Sequence, residues 1–247
     1  MQIEGSVALV TGANRGIGAA YVEGLLAAGA AKVYAAARDP RTVAAGDPRV
    51  VALQLDVTDP DQAAAAARTA ADATLVISNA GVGRGATPLD DDAIAAARDE
   101  LEVNYFGVLN VARAFAPVLA GNGGGALVNM HSALSWIHFP AVGTYAASKA
   151  AAWAATNALR VQLRGQGTLV VGVHVGYVDT DMAAGVEAPK SAPADVVAQV
   201  LAGVEAGAEE VLADEVSRQV KAALPHDLAA LYPDVQARYD AAVAAAA

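Results

Sequence analysis

Tyr145 and Lys149 stand four residues apart in the segment Tyr145-Ala-Ala-Ser-Lys149. On a helix that spacing places a phenol and an ammonium on one face, pointing into the same space. A free phenol titrates near pH ~10, too high for ready proton exchange at neutrality. A neighbouring Lys⁺ favours phenolate, so Lys149 is expected to bring Tyr145 down towards a working range. Ser132, thirteen residues upstream, follows a short apolar run, and its hydroxyl is suited to hold a carbonyl oxygen. A positioned phenol, an ammonium and a hydroxyl together suit proton transfer at a carbonyl/alcohol centre.

A second feature supplies a binding device. Thr11-Gly-Ala-Asn-Arg-Gly-Ile-Gly18 places glycines at 12, 16 and 18, with Asn14, Arg15 and Ile17 between them. Such a loop lets the backbone turn sharply and approach a pyrophosphate, which then lies at a helix N-terminus with free N–H groups. The spacing G-x-x-x-G-x-G is a weak signal alone; its place between a strand and a helix strengthens it. Twenty residues beyond Gly18 stands Arg38, directly after Ala37. An arginine there suits a 2′-phosphate, whereas an acidic residue suits a ribose hydroxyl. Arg15 offers a second positive charge, and Asp39 is the competing acid. NADP(H) is therefore favoured and NAD(H) stays open.

The elements that must carry these residues alternate along the whole chain. Apolar runs at 6–11, 31–37, 49–55, 73–78, 126–131, 168–175 and 209–213 read as strands. Helical spacing covers 16–28, a single long helix at 91–119, and a second at 144–163. Thr58-Asp59-Pro60 is a helix start with proline in the first turn. Strands that are apolar throughout, with no polar face, indicate a parallel sheet covered on both sides. The expected fold is a doubly wound α/β Rossmann fold, one domain over 1–247, with a seven-stranded, mostly parallel sheet. The alanine runs at 63–67 and 244–247 suit close helix packing, with the final residues expected to fray.

In these features the chain resembles the short-chain dehydrogenase/reductase family in its compact single-domain form, from about Ser6 to about Ala213. Leu55-Asp56-Val57 is similar to the family's adenine-contacting segment. Ser78-Asn79-Ala80-Gly81 looks like its N-N-A-G motif, which steadies the central sheet near the cofactor. Asn104 matches the asparagine completing a Ser–Tyr–Lys–Asn tetrad with a proton relay through the lysine. Val175-Gly176-Tyr177-Val178-Asp179-Thr180 resembles the P-G segment, whose threonine contacts the nicotinamide carboxamide. The resemblance implies Tyr145 as acid/base, Ser132 as carbonyl holder, and Lys149 as ribose ligand and modifier of the phenol. It departs at Ser78, where asparagine is usual, and at Val175, where proline is usual, so the loop under the nicotinamide is expected to be less stiff. The resemblance further implies a homodimer or homotetramer, with the two long helices as the interface.

Composition narrows the classes. The chain has 247 residues, is 55% hydrophobic and 17% charged, carries a net charge of −10 and contains no cysteine. Without a basic stripe it is not expected to bind nucleic acid. Without cysteine it has no disulfide, thiolate metal site or thiol nucleophile. Met1-Gln-Ile-Glu has no basic n-region, and the apolar stretches are broken before a membrane-spanning length, so a cytoplasmic protein with a small-molecule substrate is expected. His131, His138, His174 and His226 lack metal-ligand spacing, and 90–92 reads as a helix-capping run. Leu134, Trp136, Phe139 and Val142 are candidates for one wall of an apolar substrate pocket, Tyr177 and Met182 for the other. Two further readings share the fold: an NAD-linked alcohol dehydrogenase, and a dinucleotide-binding sensor without chemistry.

Overall fold

The computed structural model describes residues 1–246. Every expected strand forms, shorter than its apolar run by at most two residues: β1 Val7–Thr11, β2 Lys32–Ala37, β3 Val50–Gln54, β4 Leu75–Ser78, β5 Ala126–Met130, β6 Leu169–His174 and β7 Glu210–Leu212. They pair in the order β3-β2-β1-β4-β5-β6-β7, and every pairing is parallel. Alternate side chains feed two apolar layers. Ala8, Val10, Ile77 and Val128 face α1 (Gly16–Ala27) and α6 (Pro193–Glu205). Leu9, Val76, Leu127 and Val170 face α2 (Pro60–Thr69) and the helical run through Val111, Phe115 and Leu119. Burial on both faces explains why no strand needed a polar side.

The chain runs outward from β1 through β2 to β3, then returns to place β4 on the other side of β1. That reversal opens a crevice at the C-terminal ends of β1 and β4, where open α/β sheets bind ligands. The glycine loop leaves β1 there, and 79–86 leaves β4.

The single helix expected at 91–119 is instead three pieces: α3 (Ala93–Leu101), a π-helical turn (Glu102–Phe106) and α4 (Gly107–Gly121). Apolar spacing continues across the π turn, so sequence periodicity does not reveal it. Directly after it, Gly107 meets Val57, in the turn between β3 and α2, so closely that a Cβ would lie 2.7 Å from Val57 Cγ2. The continuous helical run 93–121 has the length and mean hydropathy, 1.2, of a membrane-crossing helix; here Val111, Phe115 and Leu119 are buried against the sheet.

α5 (Gly143–Leu163) carries the Tyr–Lys pair. After β7 come α7 (Glu215–Ala223), α8 (Asp227–Ala230) and α9 (Tyr232–Ala246). Their Val220 and Val235 join Trp136 and Ile137 in a third apolar cluster. Of the alanines expected to fray, Ala244 to Ala246 continue α9, and Ala247 lies outside the described residues.

Candidate active site

At the crevice the glycine loop takes the shape its residues allow. Gly12 and Gly16 adopt positive φ, +64° and +54°, which a side chain would strain. At Gly18 a Cβ would lie 2.0 Å from the Gly12 carbonyl oxygen, so only glycine lets α1 start this close to the loop. No side chain caps α1. An uncapped helix N-terminus walled by glycine fits a pyrophosphate. Ile17 packs into the core beneath, while Asn14 and Arg15 are exposed at the rim.

The second half of the crevice is stitched to this loop. Asn79 donates from its backbone N–H to Thr11 Oγ1 (3.0 Å) and from Nδ2 to Thr11 O (2.9 Å), and Ala80 N–H also donates to Thr11 Oγ1 (3.0 Å). These bonds tie the end of β4 to the end of β1. Ser78, the departure from it, leaves a buried hydroxyl with no partner. Thr180 packs its methyl on Gly16, 3.2 Å from where a Cβ would stand, which brings the segment after β6 beside the loop. Val178 is buried and bridges to Ser191. Where Val175 replaces the usual proline, Asp214 accepts the Gly176 N–H while also capping α7 through Ser217 N–H (2.7 Å). This side-chain tether supplies stiffness that the valine lacks.

Beyond β2, Arg38 is exposed and lines a cavity of about 340 Å³ with Asp39, Pro40, Arg41 and Gln54. Asp39, the competing acid, is held in an exposed ion pair with Arg41. Its Oδ1 accepts from Arg41 Nε (2.9 Å) and N–H (3.0 Å), and its Oδ2 from Arg41 Nη2 (2.8 Å). Arg41 accordingly holds the Asp39 carboxyl below its ordinary range. Arg15 turns the other way, donating to Asp181 Oδ2 (3.1 Å) across the mouth, so it does not join Arg38. Asp56 accepts from Thr58 N–H (3.0 Å) and Oγ1 (2.8 Å), which fixes its carboxylate at the crevice rim above buried Val57.

The four tetrad positions converge. Asn104 sits in the π turn, 1% exposed. Its Oδ1 accepts from Val82 N–H (2.9 Å), and its Nδ2 donates to Val82 O (2.8 Å) and Ser148 Oγ (2.9 Å). Ser148 Oγ donates to Tyr145 O (2.7 Å), so Asn104 is wired to the helix bearing the Tyr–Lys pair. Lys149 Nζ donates to Met130 O (3.0 Å) and passes 3.5 Å from a Cβ built on Gly81. Ser132 is buried at the end of β5, and its Oγ accepts from Leu134 N–H (3.1 Å).

The electrostatics differ from expectation. Burial pushes the Tyr145 phenol up; the Ser132 hydroxyl beside it draws it down, and the Glu100 carboxylate raises it again. Lys149 Nζ lies over the same ring, 5.8 Å from its centre, and donates to Met130 O; burial brings Lys149 itself down to about 8. Desolvation of both groups thus leaves the phenol raised.

The proposed substrate walls divide. Trp136 is not a wall residue: it is 5% exposed, stacked on His174 at 3.6 Å and edge-on to Trp153. Leu134 and Phe139 pack against the same C-terminal cluster. Val142 is half-buried, whereas Tyr177 and Met182 are exposed at the mouth. Of the histidines, His131 and His174 are buried and held low by burial, and His138 bonds to Tyr232 Oη (2.9 Å). Sequence reading passed over Glu100, Arg41, Asp214 and Ser148; the first three belong to no spacing pattern, whereas Ser148 stands inside Tyr145-Ala-Ala-Ser-Lys149.

A sequence profile described as short chain dehydrogenase matches residues 6–191. A 1-deoxy-11-beta-hydroxypentalenate dehydrogenase from Streptomyces exfoliatus is 36% identical over 204 residues, covering 78% of this chain and 74% of that one. A cis-4-hydroxycyclohexanecarboxylate dehydrogenase from Sinomonas cyclohexanicum is 32% identical, covering 74% and 77%. Among solved structures, a short chain dehydrogenase from Burkholderia cenocepacia in complex with NADP superposes with a TM-score of 0.91 at 43% identity, covering 95% of this chain and 99% of that one. With the parallel sheet, the glycine cradle and the converging tetrad, these matches make the chain a member of the short-chain dehydrogenase/reductase family, an oxidoreductase of the alcohol-dehydrogenase kind.

Proposed function

We propose that the protein interconverts a ketone or aldehyde and the corresponding alcohol with NADP(H), Tyr145 serving as the acid/base. The observation that carries this reading is the placement of Tyr145, Ser132 and Lys149 around one crevice into which the glycine loop also opens. The bound nicotinamide would supply or accept the hydride. The glycine loop and the N-terminus of α1 would hold its pyrophosphate, Arg38 its 2′-phosphate, and Asp56 and Val57 the adenine side. Ser132 would hold the carbonyl oxygen and Tyr145 would give it a proton on reduction, or take one on oxidation. Lys149 would bind the ribose, and Gly176, Val178 and Thr180 would flank the carboxamide.

The NADP preference is supported by Arg38 standing free at the end of β2 while Arg41 occupies Asp39. It agrees with the bound NADP of the Burkholderia cenocepacia relative. Two of the relatives are named for alcohols on carbocycles, which makes cyclic ketones a natural part of the substrate panel. Phe106, Ile94 and Val161 expose apolar surface on the two long helical runs, in keeping with a homodimer or homotetramer. Consumption of NADPH and of NADH should be measured against linear and cyclic ketones and aldehydes. Faster NADPH consumption with at least one carbonyl is expected. Binding of NADPH with no turnover of any carbonyl would favour a sensor instead, and preference for NADH would favour an NAD-linked dehydrogenase.

A further inference from the structure

The chain has 26 acidic residues, yet among the described residues Glu100 and Lys149 are the charged side chains buried from solvent. Both are at the Tyr145 site. Glu100, on α3, is 0% exposed. Its Oε1 accepts the Arg84 N–H at 2.6 Å, and its Oε2 has no partner. A buried carboxylate with one oxygen unpaired is costly, and its neighbours on the helix, Arg98 and Asp99, keep their charges in water.

What Glu100 holds is the wall behind the phenol. The segment leaving β4 is clamped at alternate residues. Asn104 takes both the N–H and the carbonyl of Val82, Glu100 takes the N–H of Arg84, and Thr144 Oγ1 donates to the carbonyl of Ala86 (3.3 Å). Between the first two clamps Gly83 lies flat on the Tyr145 ring, where a Cβ would stand 3.4 Å from Cδ2. We propose that Glu100 is a positioning residue of this enzyme, fixing the segment 82–86 against the Tyr145 ring. The inference rests on Tyr145 being the acid/base.

The charged and titratable surroundings of Tyr145 are few. Lys149 lies one turn along the same helix and points to Met130 O. Ser132 comes from the end of β5, with His131 and His174 behind it and neutral through burial. The π turn contributes the uncharged Asn104. Glu100, from α3, is the acidic group that acts to raise the phenol. Arg84 and Asp99 pair with each other at the surface.

The test isolates the clamp. Glu100→Gln keeps an oxygen for the Arg84 N–H, so hydrogen exchange of 82–86 in the cofactor-free protein should be unchanged. Its kcat for oxidation of the best alcohol from the substrate panel, at saturating NADP⁺, should stay within about threefold of wild type, because the conservative variant restores the clamp. Glu100→Leu removes the acceptor: exchange at 82–86 should quicken and kcat should fall by about tenfold or more. Glu100→Asp shortens the reach, so exchange should quicken and kcat should fall; this arm decides the matter even where Glu100→Gln fails to fold. Quickened exchange in Glu100→Gln, or unaltered exchange in Glu100→Leu or Glu100→Asp, would each overturn the proposal. Near-normal turnover in Tyr145→Phe would instead overturn the underlying acid/base reading.

Discussion

Burial keeps the Tyr145 phenol protonated and, by raising it, makes it a weaker acid, so donation during carbonyl reduction depends on the forming alkoxide being a stronger base still. Tyr145→Phe keeps the ring against Gly83 but removes the proton, so turnover should fall by roughly 10²–10⁴-fold. NADPH binding, followed by fluorescence titration, should survive. Lys149 makes a prediction about stability. Burial lowers it from 10.5 to about 8 in the folded protein, whereas the unfolded chain keeps that proton to about pH 10.4. Between these values unfolding takes up a proton, so stability rises with pH from about 8. Tyr145 and Tyr21, both raised by burial, act oppositely above about pH 10, where the unfolded phenols ionise. Denaturant midpoints of the cofactor-free protein should therefore show a contribution that rises between pH 8 and 10 and is absent in Lys149→Met. Parallel curves for the two proteins would mean that Lys149 is not desolvated. The identity of these groups was legible because a spacing of four on a helix fixes a shared face. Their electrostatics were not, since burial depends on chain segments far away in sequence.

At the level of elements, the π turn is what lets one helix do two jobs. Widening the helix at Glu102–Phe106 lets Asn104 face Val82 and Ser148, while Val111, Phe115 and Leu119 of α4 stay against the sheet. Turns of this kind recur at functional sites. Nothing in the apolar spacing of 91–119 announces it, because an added residue redirects the ladder without changing residue type. The strands were legible for the opposite reason: a fully buried parallel sheet admits only apolar runs. Trp136 shows the limit of local reading, since its place between Ser132 and Tyr145 suggested a pocket wall. The C-terminal helices, none of which was assigned from helical spacing, supply Val220 and Val235 to cover it. Gly107 gives the element-scale test. A methyl there would press on Val57, a β-branched residue with little freedom to yield. Gly107→Ala should gain helix propensity yet lose about 1–3 kcal/mol through overpacking, seen as a lower thermal midpoint. A midpoint at or above that of wild type would show that α4 shifts freely from Val57.

Across the whole molecule, the excess of acidic residues sets the background against which the cofactor's third phosphate is recognised. With a net charge of −10, the protein's overall field disfavours NADP relative to NAD, which carries less negative charge. Arg38 must reverse that locally. A charge-assisted hydrogen bond to the 2′-phosphate is worth about 1.5–3 kcal/mol, roughly a 10- to 100-fold preference, and exposure of Arg38 places the result towards the lower end. Neutralisation of Asp39 by Arg41 removes the nearest repulsion. The two contributions respond to salt with opposite signs. In wild type the attraction at Arg38 dominates, so the ratio of Kd for NADH to that for NADPH should fall as ionic strength rises through about 0.1 M, where the screening length is near 10 Å. In Arg38→Leu the remaining field is repulsive, so the ratio should start near or below about one and rise with salt, while NADH affinity itself changes little. Titration of both reduced cofactors at several salt concentrations, on wild type and Arg38→Leu, reads both slopes. A wild-type ratio that already favours NADH would make Arg38 surface charge alone, and slopes of the same sign in the two proteins would place the phosphate elsewhere than beside Arg38.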